Sequence, residues 1–213
     1  NIVLSICTGF IIQIVIHELG HLLFGLITGW KFLFLQVYRL VFKNVNGKLI
    51  FKIVKEKGFK CIMYPKSLNN KAILYTLGGC ILNLITAITG FSILITVQLS
   101  PILWLYIWSF TAFGMGLSLM NGIADFKRIC NDKACYLLIK SNYNTLLCHN
   151  SQLLVAKYLI SGLTYKQIRK ELIFYCDEIA DNDIEAYQAI LEYYYYLDTG
   201  NYKRARQALG RIN

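Results

Sequence analysis

The sequence predicts a mainly helical, polytopic membrane protein with three spans, a β-hairpin between the first two, and a soluble helical tail. Of its 213 residues, 56% are hydrophobic, whereas a soluble domain has about 45–50% apolar residues. The charges are also segregated. Residues 1–30 hold one charged side chain and residues 72–122 hold none. This uncharged block of 51 residues has room for two membrane crossings of about 20 residues each.

Three apolar stretches are predicted to cross the membrane. The first ends near Trp30, and tryptophan favours the interface between lipid and water. A turn at Ser100-Pro101 separates the other two. The predicted spans are about 2–30, 72–98 and 102–123.

The loop at 31–71 has a different period, since aromatic and β-branched residues alternate with basic ones around "NVNGK". Asn46-Gly47 is a strong signal for a type I′ hairpin turn. We therefore expect strands at about 32–43 and 48–54. A hairpin rich in Phe, Leu and Lys is expected to associate with the membrane surface; the alternative is a plain connecting hairpin.

The net charge of +10 does not indicate a nucleic-acid partner. Ten basic residues and one acidic residue lie in the loop 31–71, between two apolar spans. From residue 123 onward the balance is twelve basic to ten acidic. By the positive-inside bias, the loop is cytoplasmic. The second and third spans separate this loop from the tail, so the tail is expected on the same side. The first span places the N-terminus outside.

The chain divides into a predicted membrane core, 1–140, and a cytoplasmic helical domain, 141–213. The end of the tail, "YYYYLDTGNYKRARQAL", resembles a tetratricopeptide-type helix pair, although one pair is not an array. A small helical bundle capping the membrane domain is the alternative. Helices are expected at 144–162, 164–180 after a Thr164 cap, 183–200 and 201–212.

The stretch "HELGH" at 17–21 matches H-E-x-x-H. On a helix His17 and His21 share one face and can bind one zinc ion. Glu18 lies beside the first ligand and can act as general base on a water held by the metal. Ionisable side chains within a span are costly and indicate function. The alternative is a histidine pair that hydrogen-bonds to a neighbouring helix.

A catalytic zinc ion needs three protein ligands and one water. A metzincin would place the third ligand at position 27, which is Ile, and the next acidic residue, Glu56, lies in the basic loop. The second span contains no acid. The third ligand is therefore expected near the end of the third span, where the nearest acids are Asp125 and Asp132.

These features resemble the site-2 protease family of intramembrane zinc metalloproteases, over residues 1 to about 140. HELGH lies in the first span and a hairpin-forming loop follows. "LGGCILNL" at 77–84 is similar to the family's Gly-x-x-x-Asn element, and Asn121 ends the third span ahead of an Asp. "KGFKCIMYP" at 57–65 is similar to a loop segment of Gram-positive members. The chain departs from the family in lacking Pro after Asn121 and Gly after either Asp.

The resemblance implies roles for further residues. "NDKACYLLI" aligns best with the family's ligand-bearing segment, which favours Asp132 over Asp125 as third ligand. Asn83 and Asn121 would hold the substrate backbone or the oxyanion; the alternative for both is interhelical hydrogen bonding. Gly78 and Gly79 are expected to permit close helix packing.

The implied function is that of a zinc endopeptidase, with one catalytic Zn²⁺, that cleaves a membrane-spanning protein or a small peptide precursor. The implied location is a bacterial cytoplasmic membrane, with a cytoplasmic protein partner for the C-terminal helices. One alternative is a degenerate homologue that binds a membrane peptide or partner without cleavage, which the missing Pro and Gly favour and the intact Glu18 disfavours. A metal transporter or sensor is another alternative. It predicts more than one acidic residue within the membrane, whereas the predicted spans contain only Glu18.

Overall fold

In the computed structural model, residues 2–126, 131–174 and 180–212 are described. They form a mainly helical fold with one two-stranded antiparallel sheet, as predicted. The described residues also include a 3-10 turn, Tyr165–Gln167. The elements are α1 Ile2–Ile27, β1 Lys31–Val45, β2 Lys48–Tyr64, α2 Ile73–Thr96, α3 Pro101–Gly122, α4 Asp132–Ser141, α5 Tyr143–Ile160, α6 Lys170–Ile173, α7 Asp183–Asp198 and α8 Tyr202–Leu209.

Helices α1, α2 and α3 are each long and apolar enough to cross a membrane. Their ends fall within three residues of the predicted spans. Most of their large apolar side chains point outward and are exposed, which is the arrangement expected when lipid is the surrounding solvent. The three helices pack against one another through small and polar residues instead.

Glycines bring α1 and α2 into backbone contact. A Cβ atom added to Gly78 would lie 2.6 Å from the carbonyl oxygen of Gly20 and 3.1 Å from the Cα atom of His21. Such distances leave no room for a side chain, so the two backbones meet directly. The prediction that Gly78 permits close packing is confirmed, and the contact lies at the level of the HELGH motif.

Polar side chains buried among the three helices are hydrogen-bonded across them. Gln13 and Asn83 are fully buried. The Gln13 amide donates to the carbonyl oxygen of Phe110 at 3.1 Å, and Asn83 Nδ2 donates to Gln13 Oε1 at 2.8 Å. Further along, Ser109 donates to the carbonyl oxygen of Ser5 at 2.7 Å. These bonds join α1, α2 and α3 where unpaired polar groups would be costly.

The hairpin turns where the sequence predicts. Asn46 and Gly47 have φ values of 51° and 85°, the positive values that a type I′ turn requires at both central residues. The second strand is longer than predicted, because it continues past residue 54 to Tyr64. The alternation that marks a strand is lost in "VKEK", which explains the error.

A bulge interrupts the pairing at this point. Tyr38 pairs with Gly58 and Leu40 pairs with Ile53, so residues 54–57 have a single residue opposite them. The buried amide of Gln36 holds the bulge in place by donating to the carbonyl oxygens of Tyr38 at 2.9 Å and of Glu56 at 3.0 Å. Beyond the bulge the strands resume regular pairing toward Tyr64.

The tail differs from the sequence prediction in two places. Helix α4 was not predicted at all. The predicted helix over 164–180 is wrong, because a 3-10 turn and the short α6 take its place, and residues 175–179 lie outside the described part. Ile168 between them has extended backbone and is buried in the core of the tail. Burying this side chain outweighs local helix propensity.

Candidate metal centre

The structure brings together His17, His21 and Asp132 from two separate parts of the chain. The histidines lie one turn apart on α1, and Asp132 is the first residue of α4. Their Nε2 atoms are 3.3 Å apart. Asp132 Oδ2 lies 3.2 Å from His17 Nε2 and 3.5 Å from His21 Nε2. The three atoms therefore form a nearly equilateral triangle.

This triangle has the size that a tetrahedral zinc ion requires. Zinc binds imidazole nitrogen and carboxylate oxygen at about 2.0–2.2 Å, so two ligand atoms of one tetrahedron are about 3.3–3.6 Å apart. The observed sides span 3.2–3.5 Å. Two nitrogens and one oxygen leave a fourth position for water or substrate, as in catalytic zinc sites. Binding of the ion itself stays a prediction.

A hydrogen bond from the second ring nitrogen orients His17. Its Nδ1 lies 2.9 Å from Asn83 Oδ1. Asn83 is fixed in turn, since its Nδ2 donates to the carbonyl oxygen of Gln13 at 3.0 Å and to Gln13 Oε1 at 2.8 Å. A proton on Nδ1 leaves the Nε2 lone pair directed at the triangle, the usual arrangement of a metal-binding histidine.

His21 is oriented by backbone. Its Nδ1 lies 2.8 Å from the carbonyl oxygen of Tyr75 at the start of α2. The Tyr75 ring stacks on Trp30 at a centroid distance of 4.5 Å, and its hydroxyl donates to the carbonyl oxygen of Cys61 at 3.2 Å. The hydrogen bond between His21 and Tyr75 therefore connects α1 to α2, and Tyr75 connects both helices to β2.

Gly79 provides the space that the His17 ring occupies. A Cβ atom on Gly79 would lie 2.5–2.7 Å from three atoms of that ring. Any other residue would push the imidazole away from α2. The sequence predicted that Gly78 and Gly79 permit close helix packing, and the structure confirms this. It also shows that Gly79 lies directly against the ring of His17, a candidate ligand.

Asn131 places Asp132 at the site. Its Oδ1 caps α4 by accepting from the backbone N–H of Ala134 at 3.0 Å. Its Nδ2 donates to the carbonyl oxygens of Met120 at 2.9 Å and Ile123 at 2.7 Å, which ties α4 to the end of α3. Sequence reasoning missed Asn131, although an Asn directly before a helix is a recognisable N-cap signal.

The Asp132 carboxylate has further partners. The Cys80 thiol donates to Oδ2 at 3.3 Å. Burial opposes ionisation, but when the histidines are protonated, as metal-free rings can be, the hydrogen bond from His17 and the charge of the two rings lower the pKa of Asp132. A bound metal ion would supply the positive charge in place of those ring protons, since a ligand carboxylate must be ionised and a ligand histidine neutral.

A cavity of about 550 Å³ opens on the triangle. Glu18 is buried, only 8% exposed, and lines this cavity. His149, from α5, also lines the cavity. Burial lowers the pKa of His149 to about 4, so its ring is neutral near pH 7. The remaining wall comes from β2, the start of α2, the end of α3 and α4: Phe59, Lys60, Cys61, Tyr75, Thr76, Asn121, Asn131 and Cys135.

The other predicted residues occupy distinct positions. Asp125 is exposed and lies outside the triangle. Asn121 lines the cavity, and its Nδ2 donates to the carbonyl oxygen of Leu117 at 3.2 Å. The contacts of Asn83 favour an orienting role toward His17, because both donor contacts of its amide go to Gln13. The substrate or oxyanion roles of both Asn residues stay predictions.

Comparisons with protein-family models, curated proteins and solved structures find no match to this chain.

Proposed function

We propose that this chain is an intramembrane zinc endopeptidase of the site-2 protease kind. The observation that carries the proposal is the His17, His21 and Asp132 triangle, which has zinc dimensions and lies at the base of a cavity that also contains a buried carboxylate. Both histidines and Glu18 belong to a helix apolar enough to span a membrane. A protease that acts on membrane-embedded peptide bonds needs its polar chemistry at such a place.

When bound, zinc polarises a carbonyl oxygen and lowers the pKa of its water from 15.7 to about 7. The chain supplies the remaining chemistry. Glu18 accepts the proton of the attacking water and passes it to the leaving nitrogen, the work of a general base and then a general acid. Asn83 and the Tyr75 carbonyl keep the two imidazoles in place, so little reorganisation is needed during the reaction.

The proposed substrate is a membrane-spanning protein or a small peptide precursor. A transmembrane helix hides its carbonyls in hydrogen bonds, so it must unwind before cleavage. Residues 59–61 of β2 line the cavity. A substrate in extended form would lie beside this strand and pair with its backbone, as in β-strand addition.

The distal half of the hairpin supports membrane association. One face carries five large apolar side chains that are 40–74% exposed, with Asn44 as the one polar residue among them, next to the turn. The register places Leu40 opposite Ile53 and Phe42 opposite Phe51 on this face. The other face carries Lys43, Lys48 and Lys52. An apolar face backed by lysines suits the boundary between acyl chains and anionic headgroups.

The proposed topology is that of a multi-pass protein of a bacterial cytoplasmic membrane, with the N-terminus outside and the basic loop and tail in the cytoplasm. We include in the proposal that α7 and α8 form a tetratricopeptide-type pair that binds a cytoplasmic protein. Ala205 and Ala208 of α8 are buried, and Gly200, with φ of 73°, makes the turn between the helices.

Zinc content tests the site. Detergent-solubilised wild type is expected to hold about one zinc per chain after metal analysis, as a three-ligand site should. Asp132→Ala is expected to lose it. Asp125→Ala removes the same charge seven positions earlier and should keep the metal. Wild type without zinc, even after zinc is supplied, would refute the proposal.

Cleavage tests the reaction. The chain is reconstituted in vesicles with a panel of fluorophore–quencher peptides, each containing an apolar segment long enough to span the bilayer. Wild type should cleave at least one peptide, and Glu18→Gln should keep zinc but lose cleavage. Zinc and peptide binding without cleavage by wild type would favour the degenerate, binding homologue. Equal cleavage by Glu18→Gln would exclude Glu18 as the base.

A further inference from the structure

A second cavity, of about 510 Å³, lies on the tail side of the end of α1. Its wall combines the start of β1, the segment after β2, the middle of α5 and the residues around the start of α6. Lys31, in this wall, comes four residues after the last residue of α1. If α1 spans the membrane, the cavity is within reach of the headgroups of one leaflet.

Basic side chains converge on this cavity from four separate segments: Lys31, Lys66, Lys157 and Arg169. Glu171 is the one acidic side chain in the wall. The ion pairs found within residues 2–126, 131–174 and 180–212 involve none of the four cations. A net charge of +3 around one concavity is unfavourable by itself and favours a bound anion.

One of the cations, Lys157, is held in position, and a second, Lys66, lies near the end of α1. Lys157 Nζ lies 5.1 Å from the ring centroid of Tyr64 and 4.9 Å from that of Tyr158, in cation–π contact with both. Lys66 Nζ lies 3.5 Å from the position that a Cβ atom of Gly29 would take. This places it beside the C-terminal end of α1, where a cation is favoured. Preorganised cations lose less entropy when an anion binds.

The rest of the wall is apolar. Pro65, Leu68, Leu154 and Leu172 line the cavity beside the cations. A small inorganic anion would leave these carbon surfaces in contact with water. A ligand that joins a phosphate to a hydrocarbon part would cover both kinds of surface. The volume lies within the range of about 300–1,000 Å³ that small-molecule sites show.

We propose that this cavity binds the phosphate group of an anionic phospholipid in the leaflet that faces the tail. The Arg169 guanidinium can hold two phosphate oxygens at once, while the lysines act as point charges. Basic pockets at this depth suit lipid headgroups. The bound lipid would join the membrane helices to the tail. The proposal does not depend on zinc or on proteolysis.

Lipid retention tests this proposal. The purified full chain is mixed in detergent with phosphatidylglycerol or phosphatidylcholine, and retained lipids are counted by native mass spectrometry. Both lipids carry a phosphate, but only phosphatidylglycerol has a net negative charge. Since a basic residue near the surface contributes about 1 kcal/mol, about fivefold, preferential retention of phosphatidylglycerol should fall about 30-fold in Lys66→Gln/Arg169→Gln.

Control variants separate this effect from general charge. Lys203→Gln/Arg206→Gln removes two exposed cations from α8 and should keep the preference. Lys66→Arg/Arg169→Lys conserves charge and should retain most of it. Circular dichroism and zinc content that match those of wild type would show that the variants fold. The proposal fails if the two lipids are retained equally, or if the α8 variant loses as much lipid as the cavity variant.

A third arm identifies the source of the phosphate. Inorganic phosphate is added alone and then in competition with phosphatidylglycerol. Weak binding and easy displacement by the lipid support the proposal. Tight binding of inorganic phosphate that the lipid does not displace would assign the cavity to a soluble anion. Displacement of the lipid by an acidic peptide at lower concentration would likewise overturn it in favour of a protein partner.

Discussion

The two halves of the candidate metal centre are held by different means. The histidine half lies between α1 and α2, where close glycine packing and buried hydrogen bonds fix both rings. The aspartate half begins α4, whose start is capped by Asn131, and the bonds of Asn131 to α3 are near solvent. A substitution in the buried half leaves an unsatisfied polar group or a steric clash, whereas water can replace the hydrogen bonds of Asn131. Changes in the buried half should therefore have larger effects.

Gly79→Ala is expected to have the largest effect. The new Cβ atom would lie 2.5–2.7 Å from ring atoms of His17, so the ring must leave its position. Loss of an orienting partner lowers metal affinity by up to about 100-fold, and zinc affinity should fall further here because a ligand itself is displaced. Competition with a chelator measures it. Gly116→Ala in α3 is the control, because no atom lies within 4 Å of its Cβ position. Unchanged zinc affinity in Gly79→Ala would contradict the larger effects expected in the histidine half of the site.

Asn83→Ala comes next. It removes the acceptor for His17 Nδ1 and leaves the Gln13 amide oxygen with only the longer contact of 3.5 Å from the Thr86 hydroxyl. We expect zinc affinity to fall about 10–100-fold. Thr89→Ala in the same helix is the matched control, since the Thr89 hydroxyl bonds only to the carbonyl oxygen of Ile85 at 2.9 Å. Lost cleavage with full zinc affinity would instead favour the oxyanion role that the resemblance implies for Asn83.

Asn131→Ala tests the aspartate half. Loss of an N-cap costs about 1 kcal/mol, and we expect zinc affinity to fall by a similar free energy, about fivefold. Asn142→Ala removes the same kind of cap from α5, where Asn142 accepts from the N–H of Asn144 at 2.8 Å. Asn131→Ala, which also loses two bonds to α3, should lose at least as much thermal stability as Asn142→Ala, and only Asn131→Ala should lose zinc affinity. A loss of affinity in both would mean that α4 is not positioned through its cap.

The smallest expected effect concerns His149, on the tail-side wall of the cavity. Burial lowers the pKa of His149 from 6.5 to about 4 in the folded chain, so the unfolded chain binds more protons between these values. Stability should be complete above pH 6.5 and decline as the pH falls toward 4. Between pH 7 and 6 the decline is at most about 1 kcal/mol. In denaturant unfolding at a series of pH values, the free energy of unfolding of His149→Gln should decline less with falling pH than that of wild type. An equal decline in both would contradict this role of His149.

The histidine half could be predicted from sequence because its geometry is local. Residues four apart on a helix share a face, so HELGH specifies two ligands and a neighbouring carboxylate without tertiary information. The Asp132 position could not be derived in this way. Residue spacing alone left Asp125 and Asp132 open, and the resemblance favoured Asp132, which is the one that the structure places beside both histidines.

The errors in the fold have related causes. Helix α4 is short, and its start depends on the Asn131 cap rather than on a long apolar period. The second strand continues through a bulge that breaks alternation, and Gln36 stabilises it from the opposite strand. Between 164 and 174, burial of Ile168 decides the backbone conformation. The bulge and the conformation around Ile168 depend on interactions between distant residues, which local patterns do not contain, whereas the Asn131 cap is a local signal that the prediction missed.

The separation of the three donor residues along the chain has a consequence for biosynthesis. His17 and His21 leave the ribosome before Asp132, which follows 111 residues after His21. At elongation rates of about 5–20 residues per second, this delay is roughly 6–22 seconds. During this time the end of α1 and the whole of α2 and α3 are synthesised. The nascent chain therefore cannot assemble the three-residue cluster before α3 has been made; if the proposed protease activity is correct, this order delays cleavage until the membrane helices are complete.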